Sequence, residues 1–359
     1  MALSENGNGR LFEAGAAPAP GGRTTFIRDL TDGQPVETVF LVSARSLRQK
    51  KNGEHFLTMT LRDGSGTLPA VCWDEAPALH EIAELGAVIR VTGRYERHER
   101  WGAQLTVQAL APAQEGEYTL ADLVEAPPLE PAKMESDLRH LIETVQNPSL
   151  GRLLEELFGE RSETWQRFRR APAAKFYHQA YSHGLLEHTL SVGQAVSAIS
   201  ACFPGIDRDL AVTGALIHDI GKIEAYAQDP MAIDLTDAGK LHGEIPLGYY
   251  LVRSTIEGIG GFPPRLARSV LHILLSHHGT YENGSPVTPR TREATIVHAI
   301  DNLGGKLGSF DRLEKGLQDG ETWSQYDRAL SGSAHFPLLN GSRADLVTAE
   351  QPLPIASGE

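Results

Sequence analysis

Cysteine is scarce in this chain of 359 residues: Cys72 and Cys202 are the only two. They cannot build a disulfide framework, and no Cys-x-x-Cys is present to make a thiolate zinc site. Positive charge is also short. With 33 Lys and Arg against 46 Asp and Glu, the net charge of −13 excludes a protein that coats nucleic acid by overall electrostatics, while a local groove remains open. Long apolar runs are missing too, since nowhere do about 18 uninterrupted apolar residues occur. The opening MALSENGNGRLFEAGAAPAPGG has neither the basic start nor the apolar segment of a secretory signal. These absences lead to the expectation of a cytoplasmic protein with no membrane partner.

At 41% hydrophobic and 22% charged, the chain has the composition of a globular protein long enough for two or three domains. Residues 1–21 and 334–359 are rich in Gly, Ala, Pro and Ser without apolar periodicity and read as flexible tails. Over 22–112, short runs alternate apolar and polar positions: ETVFLVSARSLRQ, HFLTMTLRD, LPAVCWD, AVIRVTGRYERH and AQLTVQAL. Turn signals at KKNGE, DGSG and ERWG separate several of them. Five strands with a long connection, EAPALHEIAEL, between the third and fourth give the pattern of an OB-fold β-barrel. Residues 113–133, punctuated by Pro127, Pro128 and Pro131, read as a linker, and over 134–333 the period becomes helical. The expected architecture is a multidomain α and β chain, a barrel followed by an all-α bundle.

Within 22–112, eleven Lys and Arg balance eleven Asp and Glu, so this region is far less acidic than the whole. Its cations cluster. Arg45, Arg48, Lys50 and Lys51 flank one expected hairpin; Arg94, Tyr95, Arg97, Arg100 and Trp101 flank another. Bases interleaved with aromatics suit a single-strand groove, against the plainer reading of solvated hairpin tips. Phe56 and Trp73 are assigned to the barrel core.

The helical part holds residues that a core does not need. In GALIHDIGKIEAY an apolar run carries His218, Asp219 and Lys222, which a continuous helix would set on one face. Further candidates are His188 in HGLLEHTLSV, His242 in KLHGEIP, His277 and His278 in ILLSHHGTY, and Asp301 in VHAIDNLGGKL. One buried histidine is usually structural. This many imidazole and carboxylate groups, each otherwise needing its own buried partner, point to a metal site with open positions and no competing thiolate.

The order His188, His218 with Asp219, then Asp301 resembles the H…HD…D signature of the HD phosphohydrolase superfamily, helical bundles around one or two divalent metals. More closely, PAAKFYHQ, GLLEHTLSV, HDIGK, LHGE, LLSHHG and HAIDNLGGKL resemble the YhaM family of 3′-to-5′ exoribonucleases, which join an OB-fold to an HD domain. The resemblance spans about residues 23–310. It implies a first metal on His188, His218, Asp219 and Asp301, with Asp219 bridging to a second held by His242 and His277 or His278. Manganese is the first choice of metal, with Fe²⁺, Co²⁺, Ni²⁺ and Mg²⁺ as alternatives. Lys222 would stabilise charge on the phosphate, and His178, His183 and His298 are candidates for touching substrate. The implied substrate is single-stranded RNA, with single-stranded DNA as an alternative, and a homo-oligomer is compatible. Gln179 follows His178 where such families often pair two histidines, a departure that weakens the case for His178. Two rival readings are an HD phosphohydrolase of free nucleotides or cyclic dinucleotides, and a strand-binding scaffold with a silent HD domain.

Overall fold

The computed structural model describes residues 25–98, 102–175, 179–317 and 320–337. Most of the expected tails, together with Arg100, Trp101 and His178, lie outside the described residues. β1 (Pro35–Gln49), β2 (His55–Asp63), β3 (Gly66–Cys72), β4 (Val88–His98) and β5 (Gly102–Pro112) close into a barrel in the order β1-β2-β3-β5-β4. Alternation sets the register: Ile89, Val91 and Tyr95 of β4 point inward with Phe40, Leu57, Leu61, Leu68 and Leu105. The ring is completed by a parallel contact between β3 and β5, where Ala70 pairs with Leu105 and Val71 with Thr106. At the β4–β5 bulge, where Gln108 of β5 is the extra residue, Gly93 lies so close to β5 that a Cβ would meet Thr106 O at 2.4 Å. The β3–β4 connection contains the short helix α1 (Ala76–Ile82).

A capped turn, α2 (Leu120–Leu123), falls within the stretch expected to be linker. The bundle then comprises α3 (Pro131–Glu143), α4 (Pro148–Phe158), α5 (Glu163–Phe168), α6 (Gly184–Ser200), α7 (Arg208–Ile217), α8 (Lys222–Ala225), α9 (Asp237–His242), α10 (Glu244–Gly258), α11 (Pro264–Ser276) and α12 (Arg292–Lys315). Several starts are fixed by side-chain caps: Asn147 Oδ1 accepts from Ser149 N and Leu150 N, Asp207 Oδ1 from Leu210 N, and Thr291 Oγ1 from Ala294 N. The apolar core joins α3, α4, α6, α7, α10, α11 and α12 through Leu138, Leu154, Leu186, Ile217, Val252, Ile273 and Val297. Burying each such side chain contributes about 1.5–3 kcal/mol.

The expected single helix through His218, Asp219 and Lys222 is not what forms. α7 stops at Ile217, His218 is its C-cap, and the chain turns through Asp219, Ile220 and Gly221 before α8 begins at Lys222. Gly221 lets α10 close on this turn. A Cβ there would lie 2.0 Å from Glu244 O and 2.5 Å from Gly248 N, so α10 packs directly against this turn. His277 likewise caps α11, and His278 lies past that helix rather than in it.

Candidate metal centre

His218 and His277 sit at the ends of α7 and α11 in matching geometry. The Nδ1 of His218 lies 2.7 Å from Ala215 O and that of His277 lies 2.8 Å from Leu274 O. A carbonyl only accepts, so each Nδ1 carries the proton and each Nε2 faces inward. Both rings are buried. His188, on the second turn of α6, brings its Nε2 to 3.2 Å from that of His218.

Asp219 lies between these rings. Its Oδ2 is 3.3 Å from His188 Nε2 and 3.4 Å from His218 Nε2, and its Oδ1 is 3.4 Å from His277 Nε2. Asp301 of α12 closes the first side, with Oδ1 3.2 Å from His188 Nε2 and 3.7 Å from His218 Nε2. On the other side His278 Nε2 meets Glu244 Oε1 at 3.1 Å. Among the described residues, two groups of ligand-type atoms each lie within 4.8 Å of one another: His188, His218 and Asp301; and Asp219, Glu244, His277 and His278.

Charge inside the centre is balanced but tense. Burial disfavours ionisation of Asp219, yet Lys222 and His218 outweigh it and hold the carboxyl well below its ordinary range. Burial also opposes protonation of His218, but the Asp219 and Asp301 carboxylates prevail and push it up to about 10. His277 goes the other way, lowered chiefly by burial. Its Nε2 is buried and makes no hydrogen bond, despite lying within 3.4 Å of Asp219. An orphaned buried ring nitrogen, two inward imidazole nitrogens 3.2 Å apart, and three carboxylates make a donor set suited to a divalent cation of borderline or hard character.

Lys222 donates to Asp219 Oδ2 at 2.7 Å. It therefore fixes the same oxygen that faces His188 and His218, as well as lending charge. Other expected site residues lie elsewhere. His242 is exposed at the end of α9 and belongs to neither group; Glu244, the last residue of the LHGE motif, takes that side of the site. Glu244 is the first residue of α10, where the positive end of the helix favours a carboxylate. His183 precedes α6 with its Nδ1 2.5 Å from Arg169 O. His298 donates Nδ1–H to His277 O at 2.7 Å and packs on Gly279, so it braces the His277 backbone from outside the two groups.

On the barrel, most of the expected strand-binding cations are already occupied. Arg45 donates to His80 O, Lys50 to Glu54 and Trp73 O, Arg94 to Gly33 O, and Arg97 to Tyr95 Oη and Glu321. Arg48 is exposed. Phe56 and Trp73 do not both fill the core as expected. Trp73 is 47% exposed just beyond the end of β3 and stacks on Phe56 at 5.0 Å, with Lys50 Nζ 5.7 Å from the indole. Arg48 pairs with Phe56 across the β1–β2 ladder. A flat aromatic surface beside the expected cations Arg48 and Lys50 is therefore present, built from Phe56 and Trp73 rather than from the aromatics first singled out.

The family model for the HD domain matches residues 185–304, and that for the OB-fold nucleic acid binding domain matches 41–112. The 3′-5′ exoribonuclease YhaM of Geobacillus sp. (strain WCH70) is 30% identical over 309 residues, 86% of this chain and 94% of that protein. The chain belongs to the YhaM family. The YhaM protein of Bacillus velezensis (strain DSM 23117 / BGSC 10A6 / LMG 26770 / FZB42) is also 30% identical, over 80% of this chain and 90% of its own length. Among solved structures, the second OB-fold domain of replication protein A from Methanococcus maripaludis aligns at 16% identity and TM-score 0.22, covering 26% of this chain and 97% of that one. All the grouped residues from His188 to Asp301 fall inside the HD match, and an HD domain implies a divalent metal. No helix among the described residues is long and apolar enough to cross a membrane.

Proposed function

We propose that this YhaM-family chain is a metal-dependent 3′-to-5′ exoribonuclease that shortens single-stranded RNA to 5′-mononucleotides in the cytoplasm, with single-stranded DNA as a second substrate. The observation that carries the site assignment is Asp219, whose two oxygens face two different groups of ligand-type atoms. His188, His218 and Asp301 would hold one ion, and Glu244, His277 and His278 the other, with Asp219 shared; manganese is our first choice for both. Bound divalent ions supply positive charge for the phosphate oxygens and a water of lowered pKa.

The chain's own residues do the rest. The Nδ1 bonds of His218 and His277 to their own helices fix which ring nitrogen faces inward, and His298 fixes the backbone of His277. Lys222 keeps Asp219 ionised and oriented, and its ammonium adds charge near the phosphate position. The Phe56–Trp73 surface with the exposed Arg48 beside it would hold unpaired bases, which a duplex would hide. This surface favours oligomers over free nucleotides or cyclic dinucleotides.

Purified protein incubated with end-labelled single-stranded RNA or DNA in Mn²⁺, Mg²⁺ or EDTA tests the reading. A 5′ label should give a descending ladder, and a 3′ label should give mononucleotide at the earliest times, both abolished by EDTA. Internal fragments from circular RNA, or early mononucleotide from the 5′ label, would overturn the polarity.

A further inference from the structure

Arg62 of β2 is a buried arginine with one job. It is 8% exposed, and its Nη2 donates to Ala180 O at 2.8 Å, joining the barrel to the segment that leads into α6. Among the described residues no carboxylate pairs with it. Asp63 is taken by the backbone N–H groups of Ile27 and Ser65, and Glu125 ends on Lys315. Burial pulls the guanidinium pKa down, opposed by Glu125 and Asp63 from a distance. An arginine is seldom buried without an ion pair, because desolvating its charge is costly. Holding one backbone carbonyl is what that burial achieves here.

The carbonyl belongs to a constrained bend. Gln179 and His183, on either side of residues 180–182, both have left-handed backbone, with φ 59° and 69°, a conformation that non-glycine residues adopt only when their surroundings enforce it. Tyr181, buried, donates its hydroxyl to Glu187 Oε2 at 2.7 Å, and Glu187 immediately precedes His188 on α6. Gly184 admits no side chain, since a Cβ would meet Gln179 O at 2.0 Å. Arg62, the bend and the His188 helix are thus joined in series.

We propose that Arg62 is a positioning residue: through Ala180 and Tyr181 it sets the barrel's register against α6, so that a strand held on the barrel reaches the metal centre correctly aligned. The inference rests on the exoribonuclease reading. A dinucleotide that engages only the metal centre does not use this link, whereas a strand held at both places does.

Arg62→Met keeps length and apolar packing while removing the donor. On a strand of about 20 nucleotides, longer than the barrel's site, kcat should fall about tenfold, with strand affinity, metal content and dinucleotide kcat unchanged. Arg62→Lys should recover part of the loss. Tyr181→Phe, which removes the side-chain bond from the same bend to Glu187 of α6 without touching the barrel, should show the same length-selective loss. Equal losses on both substrates, or an unchanged kcat on the long strand, overturn the proposal. If Arg62→Met does not fold, Arg62→Lys and Tyr181→Phe decide by the same ratio. A wild type that cleaves neither substrate removes the exoribonuclease reading, and this proposal with it.

Discussion

In the barrel, Arg45, Lys50, Arg94 and Arg97 each end on a partner from the same chain. In the helical domain, His218 and His277 fix one ring nitrogen on their own helix and turn the other toward shared carboxylates, where that of His277 finds no hydrogen bond. The first arrangement uses polar groups up in holding the fold. The second leaves donor capacity converging on one place. A cluster of cations in a sequence therefore says little about availability, because a long flexible side chain finds acceptors on whatever packs beside it. Ligand-type residues whose rear atoms are already committed say much more.

The sharpest way to break the comparison is at Asp219. Asp219→Ala should cut kcat by at least about a hundredfold and lower metal content in parallel, while circular dichroism stays unchanged; wild-type turnover would sink the assignment. Glu244→Gln should weaken metal binding by about ten- to a hundredfold at one of two positions, read by metal analysis, whereas His242→Ala should leave it unaltered. On the barrel, Trp73→Ala should weaken long-strand binding by about 1–3 kcal/mol for each base that stacks there, with dinucleotide turnover untouched; equal losses on both substrates would refute the stacking surface.

A smaller effect follows from pH. In the metal-free centre His218 holds its second proton up to about pH 10, so an ion taking its Nε2 must displace that proton. Apparent metal affinity should rise with pH by up to about tenfold per unit between pH 6 and 8, and fall on acidification. A titration showing pH-independent affinity would place the ion elsewhere. The smallest effect is expected for Arg48→Ala, which should lower the salt dependence of strand binding by about one unit of log–log slope.

His188, His218, Asp219 and Asp301 were legible in the sequence because imidazole and carboxylate groups in apolar helical runs have few other uses. Glu244 was not, since a glutamate opening a helix already has a local explanation in the helix dipole. The break after Ile217 was hidden for another reason: Ile220 continues the apolar pattern, and the packing of α10 on Gly221 is a tertiary contact that no local pattern shows. The five strands were readable from alternation alone. Trp73 was misplaced because its large apolar ring suggested burial, whereas the inward residues of LPAVCWD are Leu68, Ala70 and Cys72 and the alternation sets position 73 on the opposite face. The long-range partners of Arg45 and Arg97 are His80 of α1 and Gly316 and Glu321, which no local pattern announces.

The barrel's ring of ladders is uneven, and this shapes how it assembles. β4 and β5 pair from Ile89–Pro112 to His98–Gly102, but β3 and β5 meet at Ala70–Leu105 and Val71–Thr106 alone among the described residues. The sheet β1-β2-β3 and the hairpin β4–β5 can each form from neighbours in the chain. They join twice, along the antiparallel β1–β4 ladder from Pro35–Arg94 to Leu41–Val88 and at the short parallel seam, and both joints need contacts more than 30 residues apart whose loop entropy must be met before any reward; the seam has only its two pairs to repay it. The seam should therefore be the last part of the ring to form and the first to breathe, with the amides of residues 70–71 and 105–106 exchanging ahead of the central β1–β2 ladder.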